Sequence, residues 1–209
     1  MFSKSTLKNL YSNNFYIIGG IFFLLTQLFI IIVNINAQDY SFYYWFCNHT
    51  PLLFSIAFFT KKIQVIKGIV SVGLFPQMLW ILDLIFNVFN VTLFGFTSYF
   101  FELESALTIF STLLIHIFTT TIALLLIFSQ DTKRSSLLYS FIYLVLLLII
   151  TFLFTNPANN TNCIYEICGL EQFQIPLYTL FWPFLTFIVF ILPSYILQDK
   201  LSNYFKQNI

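Results

Sequence analysis

The chain has 209 residues, of which 59% are hydrophobic and only 8% charged, with a mean hydropathy of +0.87 and a formal charge of +1. Soluble domains carry about 25% charged residues, and a chain this poor in them cannot cover its surface in water. Lipid is the solvent the composition fits, and no basic surface is large enough for nucleic-acid binding.

A membrane span needs ~20 mostly apolar residues to cross ~30 Å of hydrocarbon. Six stretches meet that length, at Phe15–Val33, Phe42–Phe59, Ile63–Phe86, Ser105–Phe128, Ser136–Phe154 and Pro176–Leu197. The expected fold is an all-α bundle of six transmembrane helices forming one integral membrane domain over residues 1–209. The first span follows Lys4 and Lys8. It is read as retained, because its apolar run exceeds the ~7–15 residues of a signal-peptide core and Ile35-Asn36-Ala37 is a poor cleavage site. Cleavage would leave five spans in the same orientation.

The second span opens with Tyr43-Tyr44-Trp45-Phe46-Cys47-Asn48-His49-Thr50-Pro51. Tyr44, Cys47, Asn48, Pro51 and Ser55 share a helical face, while His49 points roughly 200° away from Cys47. Thr60, Lys61 and Lys62 alone join it to the third span, so the two form a tight hairpin. The third span ends with Trp80, Asp83 and Asn87 on one face, and the aromatic stretch Asn87–Glu104 is expected to lie along the interface or cap the bundle. The fourth carries a polar stripe of Ser105, Thr108, Thr112, His116, Thr119 and Thr120. Lys133 and Arg134 separate it from the fifth span, and the connection Thr155–Ile175 precedes the sixth, which Lys200 and Lys206 follow.

Cys163 and Cys168 in that connection have C-x4-C spacing and can form a disulfide on an oxidising face. Two cysteines are too few for a zinc site, so no metal and no cofactor is expected. Asn90-Val91-Thr92 and Asn159-Asn160-Thr161 match the N-glycosylation pattern, which matters only in a eukaryotic secretory membrane.

All nine Lys and Arg fall on one side of this map, and the opposite connections hold only Asp39, Glu102, Glu104, Glu166 and Glu171. The positive-inside bias then places both termini in the cytosol. The expected location is an integral, multi-pass membrane position, the cell membrane if the source is prokaryotic.

Ionisable residues within a membrane are costly and are default functional candidates. Cys47, His116 and Asp83 supply a nucleophile, its base and an orienting carboxylate from three spans. Asn48, Thr112 and Tyr44 are candidate donors to a developing oxyanion, with His49 and Trp80 as further binding candidates. The plainer readings are that Cys47 is a small packing residue, that the Ser and Thr stripe is helix-packing glue and that His116 makes an interhelical hydrogen bond.

Four features in order resemble the YwaF-like integral membrane proteins, which are related to a eukaryotic transmembrane lipid acyltransferase. They are Trp45-Phe46-Cys47-Asn48-His49, the run Gly73 to Asp83, His116, and Thr161-Asn162-Cys163-Ile164-Tyr165. The resemblance implies acyl transfer between lipids, with Cys47 as nucleophile and His116 as base, and the expected function is a lipid-directed acyltransferase or hydrolase with Asp83 as orienter and membrane lipids as partners and substrate. Two rival readings are a small transporter or ligand-binding membrane protein, and a structural subunit of a membrane complex. The sequence does not fix the oligomeric state.

Overall fold

The computed structural model describes residues 13–37, 41–169 and 175–208, and these are helical with no strand. Lys4, Lys8, Asp39 and Glu171 of the charge map lie outside the described residues.

Helix α1 is Asn13–Asn36, α2 is Phe46–Phe59 and α3 is Ile63–Val88. Helix α4 has three consecutive parts, an α-helical Ala106–Leu113, a π turn Leu114–Thr119 and an α-helical Thr120–Ile127. Helix α5 is Ser135–Phe154. Helix α6 is Tyr178–Thr186, a π turn Phe187–Ile191 and Leu192–Asn208. Short 3₁₀ turns cover Ser41–Tyr44, Ser98–Glu102, Pro157–Asn159 and Thr161–Cys163.

Five helices, α1 and α3 to α6, are long and apolar enough to cross a membrane. Helix α2 is apolar but has 14 residues, about 21 Å at 1.5 Å per residue. It begins at Phe46 rather than the expected Phe42, because Trp45 is extended (φ −72°, ψ 131°) and ends the preceding 3₁₀ turn.

The bundle is apolar outside and keeps its polar side chains within, beside apolar core clusters, the distribution lipid demands. Ile18, Leu25, Leu125 and Leu180 are each at least 60% exposed, whereas Ser55, Ser71, Thr120, Ser140 and Gln198 are buried. Helix α3 lies at the centre, against α2, α4, α5 and α6. One core cluster joins Phe23 of α1, Phe54 and Phe58 of α2, Ile66 and Val70 of α3 and Ile127 of α4. A second joins Val72, Leu144, Leu147, Trp182 and Ile191. Helices α1 and α2 approach closely because Gly20 has no side chain: a Cβ there would meet the Phe59 ring at 2.6 Å. Ser55 Oγ donates to the Gly20 carbonyl at 2.8 Å across the same contact. Small residues that let backbones meet are the usual device where lipid supplies no hydrophobic drive.

The two ends differ in charge. At the basic end the Lys61–Lys62 turn, the α4–α5 connection with Lys133 and Arg134, and the end of α6 come together through Gln64 and an ion pair between Lys206 and Asp131. The acidic end carries Glu102, Glu104 and Glu166 beside the Cys163–Cys168 disulfide.

Candidate functional site

Toward the acidic end, side chains from four segments line one narrow cleft. Asn34 comes from the end of α1, Asn48 from the start of α2, Ser111, Thr112 and His116 from α4, and Tyr99 from the α3–α4 connection. Every one of these side chains is uncharged or weakly basic, and no carboxylate, Lys or Arg lines the space. The cleft volume is about 20 Å³. That holds a water molecule or a single polar group, and it is far smaller than the ~300–1,000 Å³ of a drug-sized site.

The π turn of α4 sets the position of His116. An extra residue per turn frees carbonyls from the i→i−4 ladder, and here Gln77 Nε2 on α3 donates to the Ile115 carbonyl at 3.3 Å while Thr119 Oγ1 donates to that of Leu114 at 3.0 Å. The imidazole then stacks on Trp80, with ring centres 4.3 Å apart and planes 9° apart. Phe100 meets Trp80 edge-on, with ring centres 5.9 Å apart.

The connection that carries Tyr99 and Phe100 is held by Asp83, which the sequence reading casts as the orienter of His116. The fully buried carboxylate instead staples the α3–α4 connection. Its Oδ1 accepts the N–H groups of Phe94 (2.8 Å) and Gly95 (3.3 Å), and its Oδ2 accepts the N–H (2.9 Å) and hydroxyl (2.9 Å) of Thr97. Those four donors occupy both carboxylate oxygens. Enclosure pushes the Tyr99 phenol above its ordinary pKa, the nearby Cys47 thiol adds to this and the Trp80 indole opposes it. Tyr99 therefore keeps its proton at neutral pH.

The other expected site residues separate. Cys47 is 4% exposed and packs between Ile30 and Ile115, with Asn48 Nδ2 3.9 Å from its sulfur. Among the described residues no hydrogen bond joins Cys47 to His116, so the expected nucleophile, base and orienter are not assembled as a triad. His49 turns toward α5, where its Nε2 meets the Tyr143 hydroxyl at 2.9 Å. Tyr44 stacks on Phe154, with ring centres 6.1 Å apart. Thr112 lines the cleft while donating to the Thr108 carbonyl at 2.9 Å. Trp80 is 5% exposed, and its indole lies close enough to the Tyr99 phenol to favour the ionised form without making a hydrogen bond of regular geometry.

Three residues to which the sequence reading gives no site role shape this region, Gln77 and Asn162 entering only as part of the motifs of the resemblance and Asn34 not at all. Asn34 is 6% exposed, and its Nδ2 has no partner. Gln77 braces the π turn. Asn162 reaches from the α5–α6 connection to the start of α2, accepting the Phe46 N–H at 2.8 Å and donating to the Tyr44 carbonyl (2.7 Å) and Thr151 Oγ1 (2.8 Å). No group of three or more His, Cys, Asp or Glu able to hold a metal occurs among the described residues.

By helix length, apolar surface and buried polar cleft, the class is that of a polytopic α-helical membrane protein. No protein-family model, curated protein or solved structure matches the chain.

Proposed function

We propose that this is a six-span membrane protein with both termini in the cytosol, and that its cleft binds the uncharged polar group of a small membrane-dissolved molecule. Two independent features support the orientation. The cations gather at one end, which the positive-inside bias assigns to the cytosol. The disulfide closes at the other end, and disulfides persist on the oxidising side.

The observation that carries the binding reading is the buried, unpartnered Asn34 amide in a cleft lined by neutral polar groups from four segments. A buried donor without a partner costs roughly 1–3 kcal/mol, so the arrangement favours an occupant that accepts a hydrogen bond. The size admits a hydroxyl or carbonyl, and the absence of ionised groups disfavours a charged occupant. Acyl transfer of the YwaF-like kind is less favoured by this geometry. It would require the Cys47 sulfur to leave its seat between Ile30 and Ile115 and His116 to leave Trp80.

Trp80 is the natural reporter, since it stacks on a cleft residue. A Trp45→Phe/Trp182→Phe background leaves it as the sole tryptophan, and monooleoylglycerol, a lipid with neutral hydroxyl groups, serves as probe in nanodiscs. The expected result is a saturable change in Trp80 emission that Asn34→Leu abolishes or weakens at least tenfold. A linear, non-saturating response, or one that Asn34→Leu leaves intact, would overturn the binding reading.

A further inference from the structure

At the basic end, side-chain bonds draw separate segments onto one rim. Gln64, in the first turn of α3, donates Nε2 to the Asp131 carbonyl (2.8 Å) and accepts the Lys133 N–H on Oε1 (2.9 Å). One turn further on, the fully buried Lys67 donates Nζ to Thr132 Oγ1 at 2.8 Å. Ser136 Oγ donates to the Lys133 carbonyl at 2.8 Å and fixes the start of α5. The α4–α5 connection is thereby pinned beside the Lys61–Lys62 turn, and Lys61, Lys62, Lys133 and Arg134 share one exposed rim.

Among the described residues two carboxylates lie at this end, Asp131 and Asp199, and Asp199 accepts from the Asn203 amide and lies near enough to Lys67 to act on its charge. The Asp131 carboxylate is already taken by Lys206, and Phe205 packs on Phe128 (ring centres 4.3 Å apart) to hold that helix end in place. None of the four rim cations has an ion-pair partner among the described residues. Like charges gathered within about a Debye length repel one another, and an anion seated among them relieves the repulsion. The apolar walls of the bundle begin directly beside the rim in sequence. Ile56 and Phe59 of α2 and Leu138 and Tyr139 of α5 are 52%, 43%, 59% and 39% exposed. A free anion satisfies the cations alone, whereas a lipid satisfies the cations and the adjoining apolar walls.

We propose that the rim formed by Lys61, Lys62, Lys133 and Arg134 binds the phosphate head group of an anionic phospholipid, with the acyl chains lying along α2 and α5. This reading rests on none of the cleft geometry and stands or falls separately from it.

The test uses the purified full chain in an uncharged detergent, titrated with dioctanoyl-phosphatidylglycerol, dioctanoyl-phosphatidylcholine or inorganic phosphate, with bound lipid counted by native mass spectrometry. A basic residue near an anionic lipid changes affinity by about fivefold. Replacing all four cations with Gln is expected to weaken phosphatidylglycerol binding by 100-fold or more while leaving phosphatidylcholine unchanged. The pair Glu102→Gln/Glu104→Gln at the opposite end is expected to alter neither. If the fourfold variant fails to fold, Lys61→Gln/Lys62→Gln and Lys133→Gln/Arg134→Gln are each expected to lose about 25-fold. Equal binding of the two lipids by the wild type, or a phosphatidylglycerol preference that survives neutralisation, would overturn the proposal. Inorganic phosphate displacing the lipid at equal concentration would do the same, by showing that the acyl chains contribute nothing.

Discussion

Replacing Asp83 with Asn keeps the shape of the side chain and removes its charge and one acceptor. Asn can still accept the Phe94 and Gly95 amides on Oδ1, but its NH₂ then faces the N–H of Thr97, a residue with 0% exposure. The Thr97 hydroxyl can turn round and accept, whereas the backbone N–H cannot. A buried orphan N–H costs about 1–3 kcal/mol, and two bonds that lose their charged acceptor weaken by about 1 kcal/mol each. The sum, about 3–5 kcal/mol, is to be read as the free energy by which the α3–α4 connection opens more easily. At 1.4 kcal/mol per tenfold, amide exchange at Phe94, Gly95 and Thr97 should accelerate by about 100-fold to several-thousand-fold, up to the ceiling set by global unfolding. Hydrogen-exchange mass spectrometry in detergent reads this directly, with α5 amides as the internal standard. Unchanged protection at residues 94–97, with the protein folded, would show that the carboxylate is not the staple.

Three further outcomes follow from particular contacts. Unreduced, denatured protein should react with one equivalent of alkylating reagent at Cys47 and with three after reduction, since Cys163 and Cys168 are bonded; three without reduction would remove the disulfide. Asn162→Gly keeps the left-handed backbone (φ +57°) but deletes three side-chain hydrogen bonds. It should cost about 2–4 kcal/mol, seen as a lowered thermal-unfolding midpoint, and a shift within error would refute the cap. Gly169 sits at φ +75° with the Phe94 carbonyl 2.7 Å from where a Cβ would go. Gly169→Ala should therefore cost at least 1 kcal/mol, measured by the same melt, and a stabilised variant would contradict the close approach.

The limits of α3 and α5 were legible because charges and turn residues bracket their apolar runs, whereas α6 continues 11 residues past the expected Leu197, to Asn208, through Asp199, Lys200 and Lys206. Ile63–Val88 and Ser135–Phe154 differ from the expected 63–86 and 136–154 by two residues or fewer at each end. The second span was read four residues too long, since apolar aromatic residues continue past the point where Trp45 leaves the helix. Asn48, Thr112 and His116 line one cleft, whereas helical spacing places residues on a face of one helix and does not say which faces meet. What the pattern could not show was which neighbour each group would take. Asp83 lies where the α3–α4 connection folds back, so backbone amides reach its oxygens. The π turn of α4 carries no residue signature, because it is stabilised by Gln77 on another helix. Asn34 near the end of a long apolar run was a visible signal, while Asn162 enters only within the motif of the resemblance, which gives no hint that it caps the start of α2.

The position of Asn162 also bears on how the chain is assembled during synthesis. The start of α2 is satisfied by a residue 116 positions later in the sequence. A nascent chain holding only the first two helices has no partner for the Phe46 N–H and Tyr44 carbonyl, and its second helix is about 21 Å long. Unsatisfied backbone groups are expensive in hydrocarbon, so that helix should sit shallowly or remain outside the bilayer core until the α5–α6 connection has emerged. Ribosome-stalled chains ending before residue 155 should therefore leave a cysteine introduced at Tyr44 open to water-soluble thiol reagents, and the full chain, released so that Asn162 has left the ribosome, should protect it.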